Sequence, residues 1–223
     1  MSAHASLLFY FPGVAFKRYA LPTLVSFVGE EDAKRIWVET LQLQKTSAQQ
    51  RPRHSFGTNL VLRYMEWDSA LYRAARRNGV PAIEAARLIE EINWKAFGPM
   101  TATLFRFSRV RSPHLRERVK WILDLMFRVL FTHPFRRNTF PLTNEVAFDV
   151  VTCPLATYFK DQGVPELTSS AACSLDYRMA AVWGVTLWRT QTIANGDQLC
   201  DFRFRTKLTG VPAAAPQGSD IKQ

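Results

Sequence analysis

Three cysteines, Cys153, Cys173 and Cys200, lie in the last third of a 223-residue chain. Thiols in such an arrangement act as packing groups, as metal ligands or as reactive centres. Cys153 stands between a β-rich run and Pro154, a residue suited to the first position of a helix. A thiol at a helix N-terminus feels the positive end of the dipole, which lowers its pKa and favours the thiolate that a nucleophile needs. Cys173 and Asp176 are three apart in a segment read as helix, and so share a face. That pairing gives either an acid beside a thiol or two ligands of a metal ion. The spacing of the three cysteines matches no standard zinc motif, and His4, His54, His114 and His133 all lie upstream. An odd number of widely spaced cysteines is not a disulfide framework.

The segment 185–206 adds the cations. Two strand-like runs, 185–194 and 197–206, flank Asn195-Gly196 and read as a β-hairpin. Period-two alternation puts Cys200, Phe202 and Phe204 on an apolar face and Asp201, Arg203 and Arg205 on the other. With a two- or four-residue turn, Leu187, Arg189, Gln191 and Ile193 share the apolar face, placing Arg189 and Gln191 among Phe side chains beside Cys200. A buried Arg there is either half of a structural ion pair or a bidentate anchor for a substrate carboxylate.

These residues need a scaffold, and the chain supplies two kinds. Helices are expected over 29–45, 59–77, 81–98 and from 112 to about 133, the last with an apolar stripe of Leu115, Val119, Leu123, Met126 and Leu130. Beyond Pro141 the pattern changes to a strand over 145–152, a short helix to 161, and a helix over 170–183 capped by Thr168 or Ser169. The fold class is therefore α+β: a helical N-terminal half, then a small antiparallel sheet with a C-terminal β-hairpin and interleaved helices. We divide the chain into an apolar N-terminal arm (1–28), extended or a short helix packed on the body, one α+β domain (29–206) and a disordered tail (207–223).

Composition narrows the function classes. Apolar residues make up 47% and charged residues 22%, so the chain is globular. The net charge of +10 suits small anions, an anionic membrane surface or nucleic acid. Nine of the basic residues fall between Met100 and Phe140, yet no base-reading motif accompanies them, so no specific nucleic-acid binding is expected. No transmembrane segment and no basic leader before an apolar stretch are found, which gives the expectation of a cytoplasmic protein. A homo-oligomer is left open.

The segments 152–180, TCPLATYFKDQGVPELTSSAACSLDYRMA, and 189–204, RTQTIANGDQLCDFRF, carry a resemblance. Cys153-Pro154, Tyr158-Phe159, Gly163 with Pro165-Glu166-Leu167, Cys173 with Asp176, Arg189 to Thr192, and Gly196 with Cys200 to Arg203 recur in order. In this the chain resembles the L-2-amino-thiazoline-4-carboxylic acid hydrolase family, over residues 140–206. The resemblance implies a hydrolase opening a C–N or C–S bond of a small, acidic, cyclic amidine-like substrate, without saying which residue does the chemistry.

Such a reaction needs a nucleophile, a proton carrier and a cation for the substrate carboxylate. Cys153 is the first candidate nucleophile, Asp176 or Asp201 the acid/base, and Arg189 or Arg203 the anchor, with Gln191 beside them. Alternatively Cys153, Cys173, Cys200 and Asp176 hold zinc; no cofactor is otherwise implied. A non-enzymatic sensor module using the same pocket is the rival reading. The three cysteines, each on a separate element, are expected to converge; without convergence the zinc site and any joint role fall and Cys153 alone is left.

Overall fold

The computed structural model describes residues 12–49 and 54–206. The expectations for residues 1–11 and for the tail from 207 lie outside the described residues. The helical half begins with α1 (Pro12–Val28) and α2 (Glu30–Gln49), joined by Gly29 at φ +85°, and continues with α3 (Phe56–Arg77) and α4 (Ala82–Phe107). Of the two readings of the apolar segment, a packed helix is the one found from Pro12 onward, with Phe16, Ala20 and Leu24 fully buried. Phe16, Trp37 of α2 and Trp67 of α3 stack in a mutual cluster, and Tyr64 meets the edge of Phe16. Burial of these large rings is the main force joining the first three helices.

Helix α4 departs from expectation in length. It runs past Gly98 and Pro99 to Phe107, with Pro81 as its N-cap rather than its first residue. Gly98 is required because Trp94 lies across it: a Cβ there would meet the indole at 2.9 Å. Beyond Pro99, Thr101 and Phe105 are buried against a second core, and that packing outweighs the hydrogen bond Pro99 cannot make.

A short 3₁₀ turn (Ser108–Val110) leads to α5 (Leu115–Val129), whose Val119, Ile122 and Leu123 are buried against the sheet. The sheet has four antiparallel strands, β1 (Arg136–Phe140), β2 (Glu145–Thr152), β3 (Thr186–Trp188) and β4 (Cys200–Arg205), in the order β1-β2-β4-β3. Strand β1 was not anticipated, since its Arg-Arg-Asn-Thr-Phe is an exposed edge with almost no buried face. Phe148 of β2 stacks on Phe202 of β4 at 4.9 Å, and with Phe204, Phe127, Trp183 and Phe105 forms the second core.

Between β2 and β3 lie α6 (Pro154–Asp161), a π-helical turn (Thr168–Cys173) and α7 (Ser174–Val182). The expected helix over 170–183 is therefore a π turn running into an α-helix, and neither Thr168 nor Ser169 makes a capping hydrogen bond. Among the described residues no helix is long and apolar enough to cross a membrane.

The two halves meet at Gly57. A Cβ there would lie 2.1 Å from the Val129 carbonyl oxygen and 2.9 Å from both the Leu130 carbonyl and the Thr132 hydroxyl. The first turn of α3 is docked directly on the last turn of α5, with Thr58 N–H donating to Thr132 Oγ1 at 3.1 Å. Gly57→Ala should lower the unfolding free energy by about 3 kcal/mol, because the opposing atoms are backbone and cannot step aside. Urea denaturation checks it, and an unchanged midpoint would show that the contact is soft.

Candidate active site

The three cysteines come from three different elements. Cys153 is the N-cap of α6, directly after β2, and packs against both buried clusters. Just before it Val151 is an extra residue in β2: Arg136 pairs with Thr152 but Arg137 with Val150. A bulge at this point turns the chain out of the sheet and into α6. Cys173 closes the π turn. Cys200 opens β4 opposite Val150 and is buried.

Thr192 ties two of them together. Its hydroxyl oxygen lies 3.6 Å from Cys200 Sγ and 4.0 Å from Cys173 Sγ. The Ile193 N–H also donates to Cys200 Sγ, at 3.2 Å. Cys153 is near enough to Cys200, Cys173 and Asp176 for their charges to act on one another. Cys173 and Cys200 thus meet at Thr192, while Cys153 packs on the core that holds Cys200.

Cys153 and Cys173 hold their protons more tightly than free thiols, contrary to what a helix N-terminus alone suggests for Cys153. Burial pushes Cys153 up to about 11, even though the Ala156 and Leu155 N–H groups pull it down. Burial and the neighbouring Asp176 carboxylate push Cys173 up to about 12, against the pull of Arg189. Desolvation outweighs the dipole because the thiol is enclosed by two apolar cores. Iodoacetamide should therefore alkylate both thiols more slowly than free cysteine at pH 7.5, with rates still climbing at pH 10. Mass-spectrometric counting of labelled thiols measures this, and rapid labelling of Cys153 at neutral pH would contradict it.

Asp176 sits in the first turn of α7, three residues beyond Cys173. Its Oδ2 accepts from Arg189 Nη1 at 2.9 Å, while Arg189 Nη2 donates to the Cys173 carbonyl at 3.2 Å. The guanidinium is flanked by the rings of Tyr177 and Phe202, each 5.0 Å away, and its side chain is 5% exposed. Burial alone would lower its pKa, but the Asp176 charge more than reverses this and holds the cation firmly. Burial raises the Asp176 carboxyl above its ordinary value, and Arg189 only partly restrains it. Arg189 lies over Phe202, on the apolar side of β4 as alternation required, but its partner is Asp176.

The other polar candidates stand apart. The hairpin is not closed by a tight Asn-Gly turn: β3 ends at Trp188, paired with Arg203, and a connection containing a 3₁₀ turn (Ile193–Asn195) follows. Gln191 is exposed in that connection rather than set among phenylalanines. Asp201 latches the connection, accepting from Thr190 N–H at 2.9 Å, Thr190 Oγ1 at 2.7 Å and Gln191 N–H at 2.6 Å. Arg203 forms an ion pair with Asp149 at 2.9 Å and donates to the Phe148 and Phe202 carbonyls, on the face away from the thiols. Asp201 and Arg203 thus brace the loop and sheet that carry Thr192 and Cys200.

Partial burial raises the Asp201 pKa, but the Gln191 N–H and both Thr190 donors overcome it and leave the carboxyl low. A lowered folded pKa gives stability that is complete above the unfolded value of about 3.9 and is lost as pH falls through the folded one. Asp201→Asn should cost about 1 kcal/mol at pH 7 and progressively less below about pH 4. Parallel denaturation curves of the two proteins at all pH values would refute this.

Two supports were not legible in the sequence. Thr192 belongs to the Arg189–Thr192 motif, and that membership was the available signal. Asn93 of α4 had none. Fully buried, it donates from Nδ2 to Asp68 Oδ2 at 2.9 Å and to the Ala171 carbonyl at 3.0 Å, inside the π turn that presents Cys173. A π bulge disturbs the helical hydrogen-bond ladder, and here a side chain from the helical half fills the gap. Nearby, Tyr72 Oη donates to Glu166 Oε1 at 2.7 Å, fixing the Pro165-Glu166-Leu167 turn against α3.

As for zinc, among the described residues no three His, Cys, Asp or Glu side chains gather closely enough to hold a metal ion. The thiols share a neighbourhood, not a coordination sphere.

An α+β chain with two thiols at Thr192 and a largely buried Arg189 paired with Asp176 can now be set beside known proteins. The family model for L-2-amino-thiazoline-4-carboxylic acid hydrolase matches residues 69–204. That is more than half of the chain, and it takes in the cysteines, Asp176, Arg189 and the helix bearing Asn93. The chain belongs to this family. No curated protein matches it.

Proposed function

We propose that this protein is a hydrolase that opens a small cyclic amidine-like or thiazoline carboxylic acid, and that Cys153, Cys173, Cys200 and Asp176 form its reactive centre. The observation that carries the reading is the meeting of three thiols with a carboxyl of raised pKa, all within the span that matches the family.

In this reading Cys153 is the nucleophile. Burial raises its pKa less than that of Cys173, and the Ala156 and Leu155 N–H groups would stabilise the thiolate as it forms. Asp176 takes the thiol proton; a carboxyl tuned upward is the better base for a weakly acidic group. The sulfur adds to the amidine carbon, the ring C–N or C–S bond breaks, and the proton passes to the leaving atom. Water then displaces the thiol, so the net change is the gain of one water. Arg189 keeps Asp176 in place and offers its remaining N–H donors to the substrate carboxylate. Cys173, Cys200 and Thr192 form the adjoining wall.

A sensor that binds the same acid without turning it over is favoured by one observation, the raised pKa of Cys153 and Cys173. Both readings are tested by incubating the purified protein with L-2-amino-thiazoline-4-carboxylate, related cyclic amidines and lactams. Mass spectrometry showing one added water supports the hydrolase. Tight binding without a mass change selects the sensor, and neither result would dismiss both.

A further inference from the structure

Phe105 and Ser108 turn inward at the end of α4, and their neighbours are thereby turned out. The Ser108 hydroxyl donates to the Phe105 carbonyl at 2.6 Å and accepts from Arg118 Nε at 3.1 Å. Arg118 Nη2 also donates to that carbonyl at 2.9 Å, and its guanidinium lies over the Phe105 ring at 4.1 Å. This anchor is buried, so the chain at 106–111 is a held turn and not a frayed helix end.

What the turn presents is unusual for a surface in water. Phe107 is 68% exposed and Val110 is 91% exposed. Arg106, Arg109 and Arg111 alternate with them and are exposed, and among the described residues none of the three has an acidic partner. The acid nearest in sequence, Glu117, is paired with Arg116. A side chain exposed as fully as Val110 has no groove around it; it stands on a projecting knob. Two apolar side chains on a knob ringed by three free cations answer to a partner with an anionic surface over an apolar interior.

We propose that this turn docks the protein on an anionic lipid bilayer, its arginines on the headgroups and Phe107 and Val110 inserted at the boundary with the acyl chains. A polynucleotide would satisfy the arginines and leave both apolar side chains in water. A lipid surface uses all five. Binding is weak and reversible, as expected of a few charges and two small apolar groups.

The test is co-sedimentation with vesicles of phosphatidylcholine alone and of phosphatidylcholine mixed with phosphatidylserine. The expected result is binding to the anionic vesicles only, weakened by added salt. Each arginine near the surface contributes about fivefold, so Arg106→Glu/Arg109→Glu/Arg111→Glu should lower partitioning by about 100-fold or more. Phe107→Ser/Val110→Ser should lower it about tenfold while leaving retention on a heparin column unchanged. All five residues are exposed, so folding is not at stake. A control, Lys17→Glu/Lys45→Glu/Lys160→Glu, makes the same charge change at other exposed sites. The proposal is overturned if anionic vesicles do not bind, or if the control loses as much as the arginine variant. It is also overturned if Phe107→Ser/Val110→Ser partitions like the parent, or if light scattering shows that these variants instead abolish self-association.

Discussion

Asp176→Asn should reduce kcat/KM for a cyclic thiazoline or amidine acid by about a thousandfold. The amide keeps the shape and can still accept from Arg189, but it cannot take a proton from a thiol that burial holds near 11. The loss should appear in kcat, with KM little changed, because the substrate's place is unaltered. Cys153→Ser should be comparably inactive, and the double variant no worse than either, since the two groups act on the same step. An Asp176→Asn enzyme retaining more than a tenth of the parent's rate would remove the carboxyl from the mechanism. A normal fold by circular dichroism must accompany the comparison, because Asp176 is also half of an ion pair.

That second role gives the largest expected stability effect. Arg189→Met should destabilise the protein by about 3–5 kcal/mol at pH 8, the usual consequence of leaving one member of a buried pair without its partner. The Cys173 carbonyl loses its donor as well, so the end of the π turn loosens with it. The pH dependence separates charge from packing. Burial already raises the Asp176 carboxyl with Arg189 present. Without the cation it rises further, so the native state binds a proton that the unfolded chain releases near pH 4. Stability then falls as pH rises between the unfolded and folded values, and the deficit of Arg189→Met should be larger at pH 8 than at pH 4.5. Guanidinium denaturation at the two pH values measures this. Equal deficits would mean that Met merely packs badly between Tyr177 and Phe202.

The sequence by itself determined the α+β class and most of the helices and strands. It did so where physics is local. Apolar residues at helical spacing made α3 and α5 legible, and strict alternation made the faces of β2 and β4 legible down to Cys200 beside Phe202 and Phe204. The family resemblance rested on short motifs of the same local kind. What only the tertiary structure decided were the properties set by neighbours distant in the chain. Cys153 has the helix N-terminus that its Pro154 foretold, yet two cores assembled from both halves desolvate it and raise its pKa instead of lowering it. Arg189 faces as alternation required, but its partner is an aspartate 13 residues earlier that only the turn at α7 brings within reach. Asp201 and Asp176 look alike in sequence; one latches a loop and has a lowered pKa, the other pairs with a buried arginine and has a raised one. Asn93 lies 78 residues from the carbonyl it supports. Local propensity places a side chain on a face, but desolvation and pairing depend on what the rest of the chain packs against that face.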